Sequence, residues 1–460
     1  MTTSLSAHAE APITLDQPAV KALGFFDQVG LWGNLGVSLL GFTAALFVLQ
    51  PRADAPGLSL TAALLATFVG TALGAAAVGL AAIPGARTGA PSMVLLRGLF
   101  GARLSYLPTG LNILQLIGWA TFEIVIIASA AHQLWPSVPQ NGYVLIAGVV
   151  TTALALRPLG VVRILRKYVT VAVAIVVIYL FVQLLRRPLP AVQHSSWREF
   201  WPAVDTALAV AISWVPVAAD YSRHSKSGRT AFSAAFVGYT ITQTACYALG
   251  IVAILSVPAA SDGSNHGVWG AFIAVFLGKL AFAVLAIREI DQSFCDVYST
   301  AVSTQNLRPH WDRRILAFVI GTAATLLALL FHISNYQNFL YLIGSVFVPL
   351  FGVLVVDYFV LHGHQRWDVA EQAPSRWSML FPWVIGFCVY QLVNPGLIPR
   401  WAGFWARVAR DIHFTAQTWM SASLLSFIAA ALLTLLVRVA DRRPAHHTLG
   451  ASRGVRPTAS

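Results

Sequence analysis

The chain has 460 residues, of which 57% are hydrophobic and only 10% are charged. Soluble domains carry about 25% charged residues, so this composition excludes a soluble protein and predicts an all-α polytopic membrane protein. The 30 lysines and arginines outnumber the 18 acidic residues, but the basic residues are dispersed over short loops between apolar stretches. That distribution reflects membrane topology and excludes nucleic acid as a partner.

Apolar stretches that could cross a bilayer follow one another along the chain. A spanning helix needs about 20 mostly apolar residues, and about twelve stretches meet this need. The fourth and eleventh are short, and the eighth is so long that it is tilted or begins later than its first apolar residue. The predicted spans are 30–49, 60–83, 105–134, 143–157, 168–185, 203–219, 232–257, 271–305, 314–331, 337–361, 379–394 and 418–438.

The polar segments and the loop charges set the predicted topology. Segments 1–29 and 439–460 are expected to be disordered cytoplasmic tails, without a cleavable signal peptide. If the N-terminus is inside, the cytoplasmic side holds 21 basic residues, the outer side holds seven, and two lie in span eight. This bias predicts a protein of the plasma (inner) membrane with both termini in the cytoplasm.

Two spans contain helix-breaking residues. Span one includes WGNLGVSLLGF, with three glycines, and span six carries Pro216 in its middle. Glycine weakens a helix, and proline removes a backbone donor. Because the breaks lie five spans apart, they predict two inverted repeats, spans one to five and six to ten, within residues 30–361. Residues 362–438 would add two helices. The alternative is that glycine and proline are simply common in spanning helices.

Carboxylates lie inside two predicted spans. Glu123 is in span three, and Glu289 and Asp291 are in span eight. An ionised acid at the centre of a spanning helix costs about 2.5–3.5 kcal/mol on insertion scales. Such groups face a wet cavity or a partner charge, so they indicate a path for a small transported molecule.

The acid of span three shares a helix face with an indole. Trp119 and Glu123 are four residues apart, and Gln115 precedes Trp119 by four, so the three side chains lie on one side of the helix. A planar heterocycle could stack on the indole while the acid accepts its N–H groups. The alternatives are an interfacial anchor for Trp119 and a buried neutral or ion-paired acid for Glu123.

Span eight contains charged residues and several hydroxyl groups. Hydroxyl oxygens are ligands suited to a small cation. Arg288 could neutralise Glu289 or Asp291 through another helix, but a pair between the adjacent residues Arg288 and Glu289 is not expected because neighbours on a helix diverge. The alternative is a purely structural charge cluster. Asp220, at the end of span six, is interpreted as a structural or gating contact with Arg223 or a loop cation.

Enzyme signatures are missing from the sequence, which has no phosphate-binding Gly-Lys-Ser/Thr loop and no His-Glu-x-x-His. The three cysteines, Cys246, Cys295 and Cys388, lack metal-ligand spacing. We therefore predict neither an enzyme nor a cofactor, and no metal other than a possible sodium site. A channel would show a continuous polar stripe, whereas these polar groups cluster at one depth.

Four stretches carry a family resemblance, namely WGNLGVSLLGF, TGAPSMVLLRGLFGARLSYLPTGLNILQLIGW, SWVPVAADYSRHSK and DQSFCDVYSTAVSTQNL. Together they resemble the nucleobase–cation symporter family, and within it most closely the hydroxymethylpyrimidine and cytosine permeases. The resemblance implies twelve helices in a five-plus-five inverted repeat with discontinuous helices one and six. It also implies alternating access and coupling to sodium or protons.

The resemblance assigns substrate ligands to particular residues. The family's stacking tryptophan corresponds to Trp119, and the polar contact four residues later corresponds to Glu123. The unwound part of span six places Ser213 and Trp214 near the ligand, although Trp214 is about one turn closer to the Asp-Tyr-Ser-Arg motif than the family pattern. We also predict Asn34, Asp291 and Gln292 as substrate contacts, with Asp291 or Gln292 binding the edge of the ring beside Glu123.

The resemblance also assigns cation ligands and narrows the substrate. Cation contacts would come from Gly33, Asn34 and Gly36 at the break of span one, and from Ser293 or Ser299 in span eight. Cytosine permeases carry asparagines where this chain has DQSFC, which favours hydroxymethylpyrimidine or another amine-bearing pyrimidine. The predicted function is a cation-coupled importer of a planar pyrimidine. The alternatives are a symporter of a purine, uracil or hydantoin, or a channel.

Overall fold

The computed structural model describes residues 11–51, 57–156, 160–188, 196–262, 264–330 and 336–440, with side chains except those of residues 160–167, 336 and 438–440. The described chain is almost entirely helical. Its helices are α1 (Phe25–Leu35), α2 (Leu39–Leu49), α3 (Leu60–Thr88), α4 (Ser92–Phe100), α5 (Tyr106–Leu134), α6 (Gln140–Leu156), α7 (Gly160–Leu184), α8 (Phe200–Ile212), α9 (Ala218–Ser222), α10 (Gly228–Ser256), α11 (Asn265–Ile273), α12 (Gly278–Leu307), α13 (Arg313–Leu330), α14 (Tyr336–Val355), α15 (Leu380–Val393), α16 (Pro399–Asp411) and α17 (Ala422–Ala440).

Each predicted span corresponds to a helix or a pair of helices. Within the described ranges, six segments are long and apolar enough to cross a membrane, and the bent pair α1–α2 makes a seventh. Four shorter apolar segments lie in α6, α7, α15 and α17. Helix α12 has 30 residues and carries the charges of span eight. It begins at Gly278 and not at residue 271, because α11 occupies residues 265–273 as a separate helix.

The glycines of span one produce a sharp bend. Helices α1 and α2 meet at 63°, and Ser38 begins α2 by accepting a hydrogen bond from the Leu40 N–H at 3.1 Å. A Cβ at Gly36 would overlap the Thr242 hydroxyl and lie 3.0 Å from the backbone nitrogen of Gln243. The missing side chain therefore lets the bend pack directly on α10.

Span six breaks where its proline predicts. Helix α8 ends at Ile212, a short 3-10 turn covers Val215–Val217, and α9 resumes at Ala218. Pro216 lies inside that turn, where its missing N–H leaves no helical hydrogen bond broken. The broken segment is buried within the protein.

The helices pack as two groups around these breaks. In one group, α3 contacts α8 and α10, and α10 contacts α1. In the other group, α5, α6, α12 and α13 contact one another. Four of the packed pairs join helices five spans apart, namely α2 with α8, α3 with α10, α5 with α12 and α6 with α13.

The N-terminal segment is ordered against the helix ends. The carbonyl oxygen of Ile13 accepts hydrogen bonds from Gln305 Nε2 at 2.7 Å and from the Arg313 N–H at 3.0 Å. Ala11 is buried, and α1 begins at Phe25. The prediction that residues 1–29 are disordered is therefore wrong for residues 11–29. A polar composition did not reveal backbone partners that lie about 300 residues away. Residues 1–10 and 441–460 lie outside the described residues.

A candidate substrate and ion site at the two helix breaks

A small buried cavity lies where the breaks of spans one and six face α5 and α12. Its volume is about 20 Å³, which is space for about one water molecule. The structure thus holds this site closed, and a heterocyclic ring could enter only after the helices move apart. The lining residues are Ser38, Gly41, Trp119, Val210, Ser213, Trp214, Gln292 and Asp296.

The predicted tryptophan of span three reaches this cavity. Trp119 is 6% exposed, and its ring meets that of Phe339 edge-on with centroids 5.3 Å apart. Phe339 belongs to α14, so span ten lies against the indole. Gln115, one turn away on the same buried face, donates to Asn112 Oδ1 at 2.8 Å and to the carbonyl oxygen of Ser213 at 3.5 Å. Helix α5 is therefore bonded to the break of span six.

The acid of span three lies behind the cavity wall. Glu123 is fully buried and does not line the cavity. Its charged neighbours are the carboxylates of Glu289 and Asp296 and the guanidinium of Arg288. Within the part of the chain that is described, neither Glu123 oxygen accepts a hydrogen bond of normal geometry. Its predicted role as a substrate ligand stays a prediction.

An ion pair from span eight holds the break of span one. Arg288 Nη1 lies 2.8 Å from Glu289 Oε2, and both side chains are at most 1% exposed. The other terminal nitrogen of Arg288 donates to the carbonyl oxygen of Asn34 and, at 2.8 Å, to Gln292 Oε1. Glu289 in turn accepts hydrogen bonds from the Ser38 hydroxyl at 2.8 Å and from the Leu39 N–H at 3.2 Å.

The sequence argument against an Arg288–Glu289 pair is therefore wrong. Although side chains leave a helix in different directions at adjacent positions, both of these are long, and both turn toward the same break. There the carboxylate meets the positive end of α2 and the guanidinium meets the negative end of α1, as helix dipoles favour. The tertiary position of the break brings the two charges together.

The remaining span-eight residues fall into separate places. Asp291 accepts a hydrogen bond from Asn34 Nδ2 and so faces span one, while Gln292 lines the cavity. The Ser293 hydroxyl accepts a hydrogen bond from Thr151 of α6 at 3.1 Å. The Ser299 hydroxyl lies 2.8 Å from the Tyr221 hydroxyl of α9.

The predicted cation ligands are therefore not all brought together by these contacts. Gly33 and Gly36 pack against α10 near Thr242, and Ser293 and Ser299 bond to α6 and α9. Asn34 is placed beside Arg288 and Asp291. The cation-binding roles of these residues stay predictions. Among the described residues, no group of three His, Cys, Asp or Glu side chains could hold a metal ion.

Sequence reasoning missed one acid at the cavity. Asp296 lines the cavity and is 3% exposed. It follows Gln292 by four residues and Glu289 by seven, a spacing that places all three on one helix face. Extending the i, i+3, i+4 pattern along span eight would have found it. The missed serine of the cavity, Ser38, lies in the broken part of span one.

The acid that ends span six has a structural role. Asp220 Oδ1 accepts a hydrogen bond from the Ser92 N–H at 2.9 Å, at the start of α4. The Ser92 hydroxyl accepts from the Ala219 N–H, also at 2.9 Å. The predicted structural contact is thus present: its hydrogen-bond partner is the first turn of α4, and the charge of Arg223 also acts on it.

Two broken spans with a cavity of aromatic and polar side chains between them form the architecture expected of a transporter. The family model "Permease for cytosine/purines, uracil, thiamine, allantoin" matches residues 52–373, and the chain belongs to this family. It is therefore a secondary transporter for nucleobase-like substrates and not an enzyme. No protein of curated function matches the chain in sequence.

Solved structures share the fold across nearly the whole chain. Mhp1, a nucleobase-cation-symport-1 family transporter solved in a closed conformation with bromovinylhydantoin bound, is 14% identical with a TM-score of 0.72, covering 95% of this chain and 96% of that one. A Na⁺-coupled sialic acid symporter in a substrate-bound outward-open state is 10% identical with a TM-score of 0.62, covering 91% and 90%. A manganese transporter of Eremococcus coleocola is 13% identical with a TM-score of 0.56, covering 95% and 99%. At these identities the likeness establishes the fold alone.

Proposed function

We propose that the protein is a secondary active importer of a planar, amine-bearing pyrimidine such as hydroxymethylpyrimidine or cytosine. It binds the pyrimidine in the central cavity and carries it inward by alternating access together with a coupling cation. The proposal extends the family membership to a substrate and a direction.

The composition of the cavity carries this proposal. Trp119 and Trp214 supply flat apolar surfaces, while Gln292 and Asp296 supply polar groups at the same cavity. The amide oxygen of Gln292 accepts hydrogen bonds, and so does the Asp296 carboxylate when it is ionised. An aminopyrimidine turns an exocyclic amine toward such an acceptor. Uracil and hydantoin carry no exocyclic amine and can offer such an acceptor only their ring N–H groups.

The architecture supports alternating access. The two breaks lie five spans apart, and the packed pairs α3–α10, α5–α12 and α6–α13 join helices with the same spacing. This is the pairing expected of an inverted repeat over residues 30–361, with residues 362–438 added outside it. The loop charges favour cytoplasmic termini, residues 1–29 and 439–460, in the plasma (inner) membrane.

The coupling ion is sodium or a proton. Glu123, Glu289 and Asp296 interact with one another in a buried place where Arg288 supplies a single positive charge. Excess negative charge in a low-dielectric site must be neutralised by a bound cation or a proton. Either partner would make occupancy of the cavity depend on the ion.

A panel of ligands tests the substrate. The purified protein is heated in detergent with hydroxymethylpyrimidine, cytosine, uracil, hypoxanthine and benzylhydantoin, and the rise in melting temperature is recorded for each. We expect the two aminopyrimidines to stabilise the protein most. A larger shift with hydantoin, uracil or hypoxanthine would assign the alternative, another nucleobase-like heterocycle.

A tryptophan pair of variants tests the site. Trp119→Ala should weaken binding of the best ligand by about 5- to 150-fold, since stacking on an aromatic side chain contributes about 1–3 kcal/mol per base. Trp311→Ala is the matched control, because Trp311 is 54% exposed and outside the cavity. Equal affinities in the two variants would place the ligand elsewhere. Uptake into proteoliposomes that grows linearly with concentration without saturating would favour a channel.

A further inference from the structure

The break of span one ends α1 with backbone carbonyls that attract a cation. The C-terminal end of a helix carries partial negative charge, and unwound carbonyls in broken transporter helices are places where coupling ions bind. In this protein the side chain of Arg288 already lies at the end of α1. Arg288 donates to the carbonyl oxygen of Asn34, in the last turn of α1.

The guanidinium is fixed there by two further contacts. It pairs with Glu289 at 2.8 Å and bonds Gln292 Oε1 at 2.8 Å, and its side chain is fully buried. Glu289 also binds the first turn of α2 through Ser38 and Leu39. The pair therefore joins the two halves of span one, with a positive group on α1 and a negative group on α2.

A sodium ion at the same carbonyl would meet this guanidinium. Two unit charges about 4 Å apart near a protein interior repel enough to weaken binding by about three orders of magnitude. The charge of Glu289 offsets part of this repulsion, but its oxygens already bind Arg288, Ser38 and Leu39, so ligating sodium would break these contacts. Sodium would have to displace the arginine before it could bind at this break.

We infer that Arg288 replaces a bound sodium ion at the break of span one, so that the transporter binds its substrate without sodium. The inference deepens the proposed function, on which it rests for the choice of ligand. Of the two coupling ions named there, the inference excludes sodium and leaves the proton. It also gives Arg288 a function, which is to occupy the place of the ion.

Sodium titration of the wild-type protein is the first test. The melting temperature is measured in potassium buffer and as sodium replaces potassium at constant ionic strength, with no substrate present. An ion that binds only the folded state raises this temperature with concentration. We expect no rise, and a saturable rise specific to sodium would overturn the inference whatever the substrate proves to be.

Ligand affinity provides the second test. Coupled ligands change each other's affinity by about 5- to 150-fold. We expect the dissociation constants of hydroxymethylpyrimidine and cytosine to be equal in sodium and in potassium within error. Pyrimidine binding seen only with sodium would overturn the inference. A protein that binds other heterocycles, and no pyrimidine, equally in both salts would overturn the proposed substrate and leave the inference standing.

Two arginine variants complete the test. Arg288→Gln removes the charge at the break and should give the protein a sodium-specific rise in melting temperature that the wild type lacks. Arg97→Gln is the matched control, because Arg97 is also buried and bonds a helix-terminal carbonyl, that of Asn306 at 2.9 Å, away from the cavity. A sodium response in both variants, or in neither, would contradict the role given to Arg288. If Arg288→Gln does not fold, the wild-type titration decides the question.

Discussion

Replacing Glu289 with glutamine should destabilise the protein far more than the same substitution on its surface. Glutamine keeps the size of the side chain and one acceptor oxygen for the Ser38 hydroxyl or the Leu39 N–H. It removes the charge that Arg288 pairs with at 2.8 Å in a site where both side chains are at most 1% exposed. The variant therefore isolates the effect of the charge.

The expected loss follows from the burial of the pair. Removing one partner of a buried ion pair leaves an uncompensated charge and costs about 3–5 kcal/mol. Arg288 would keep its bonds to the Asn34 carbonyl and Gln292, and these neutral acceptors bring the expectation to the lower end, about 3 kcal/mol. Replacing both residues, in Arg288→Gln/Glu289→Gln, should cost less than the sum of the two single losses.

Thermal and denaturant unfolding in detergent, followed by tryptophan fluorescence, measures these losses. Glu371→Gln is the matched control, because Glu371 is exposed and surface substitutions usually change stability by less than about 0.5 kcal/mol. If Glu289→Gln were as stable as Glu371→Gln, the buried pair would not hold the break. Additive losses in the double variant would refute the coupling between Arg288 and Glu289.

Two further outcomes are expected. Gly250→Ala should destabilise the protein by about 1–3 kcal/mol, because its Cβ would overlap the carbonyl oxygen of Phe42 where α10 crosses α2. The matched control is Gly110→Ala, because no atom lies within 4 Å of the Cβ that it adds. It should be neutral or stabilise α5 by up to about 1 kcal/mol in the same unfolding assay. If Gly250→Ala and Gly110→Ala had the same stability, the crossing of α10 and α2 would tolerate a side chain. Asp16 and His310 lie 3.1 Å apart, and the contact raises the pKa of His310 and lowers the pKa of Asp16. The ion pair should therefore form at pH values between these two pKa values. It should be lost as the pH rises through the pKa of His310 or falls through the pKa of Asp16. Histidine-selective NMR should find the His310 midpoint lower in Asp16→Asn, and an unchanged midpoint would remove the contact.

Local chemistry made the spans and their breaks predictable. A run of apolar residues long enough for a bilayer must form a helix there, because lipid offers no partner for backbone groups. Pro216 and the glycines around Gly36 weaken helices wherever they occur, and the breaks lie at these residues. Spacing of four residues also placed Trp119 and Gln115 on one buried face.

Long-range partners could not be predicted in the same way. Glu289 meets Ser38 across 251 positions, and Ile13 meets Gln305 across 292. Neither contact leaves a periodic pattern in the sequence, because each depends on how the helices pack. Asp296 is a different case: its helix face was available from the spacing of span eight, and only the cavity revealed its importance.

The sequence by itself determined that this chain crosses a membrane many times, where two of its helices break, and which indole and acid share a face of span three, since these features depend on residues within one or two turns of each other. The tertiary structure alone decided that Arg288 and Glu289 join the halves of span one and that Asp296 reaches the cavity. Two adjacent side chains that diverge on an isolated helix converge here because a third element, the break, offers both of them a partner of opposite polarity.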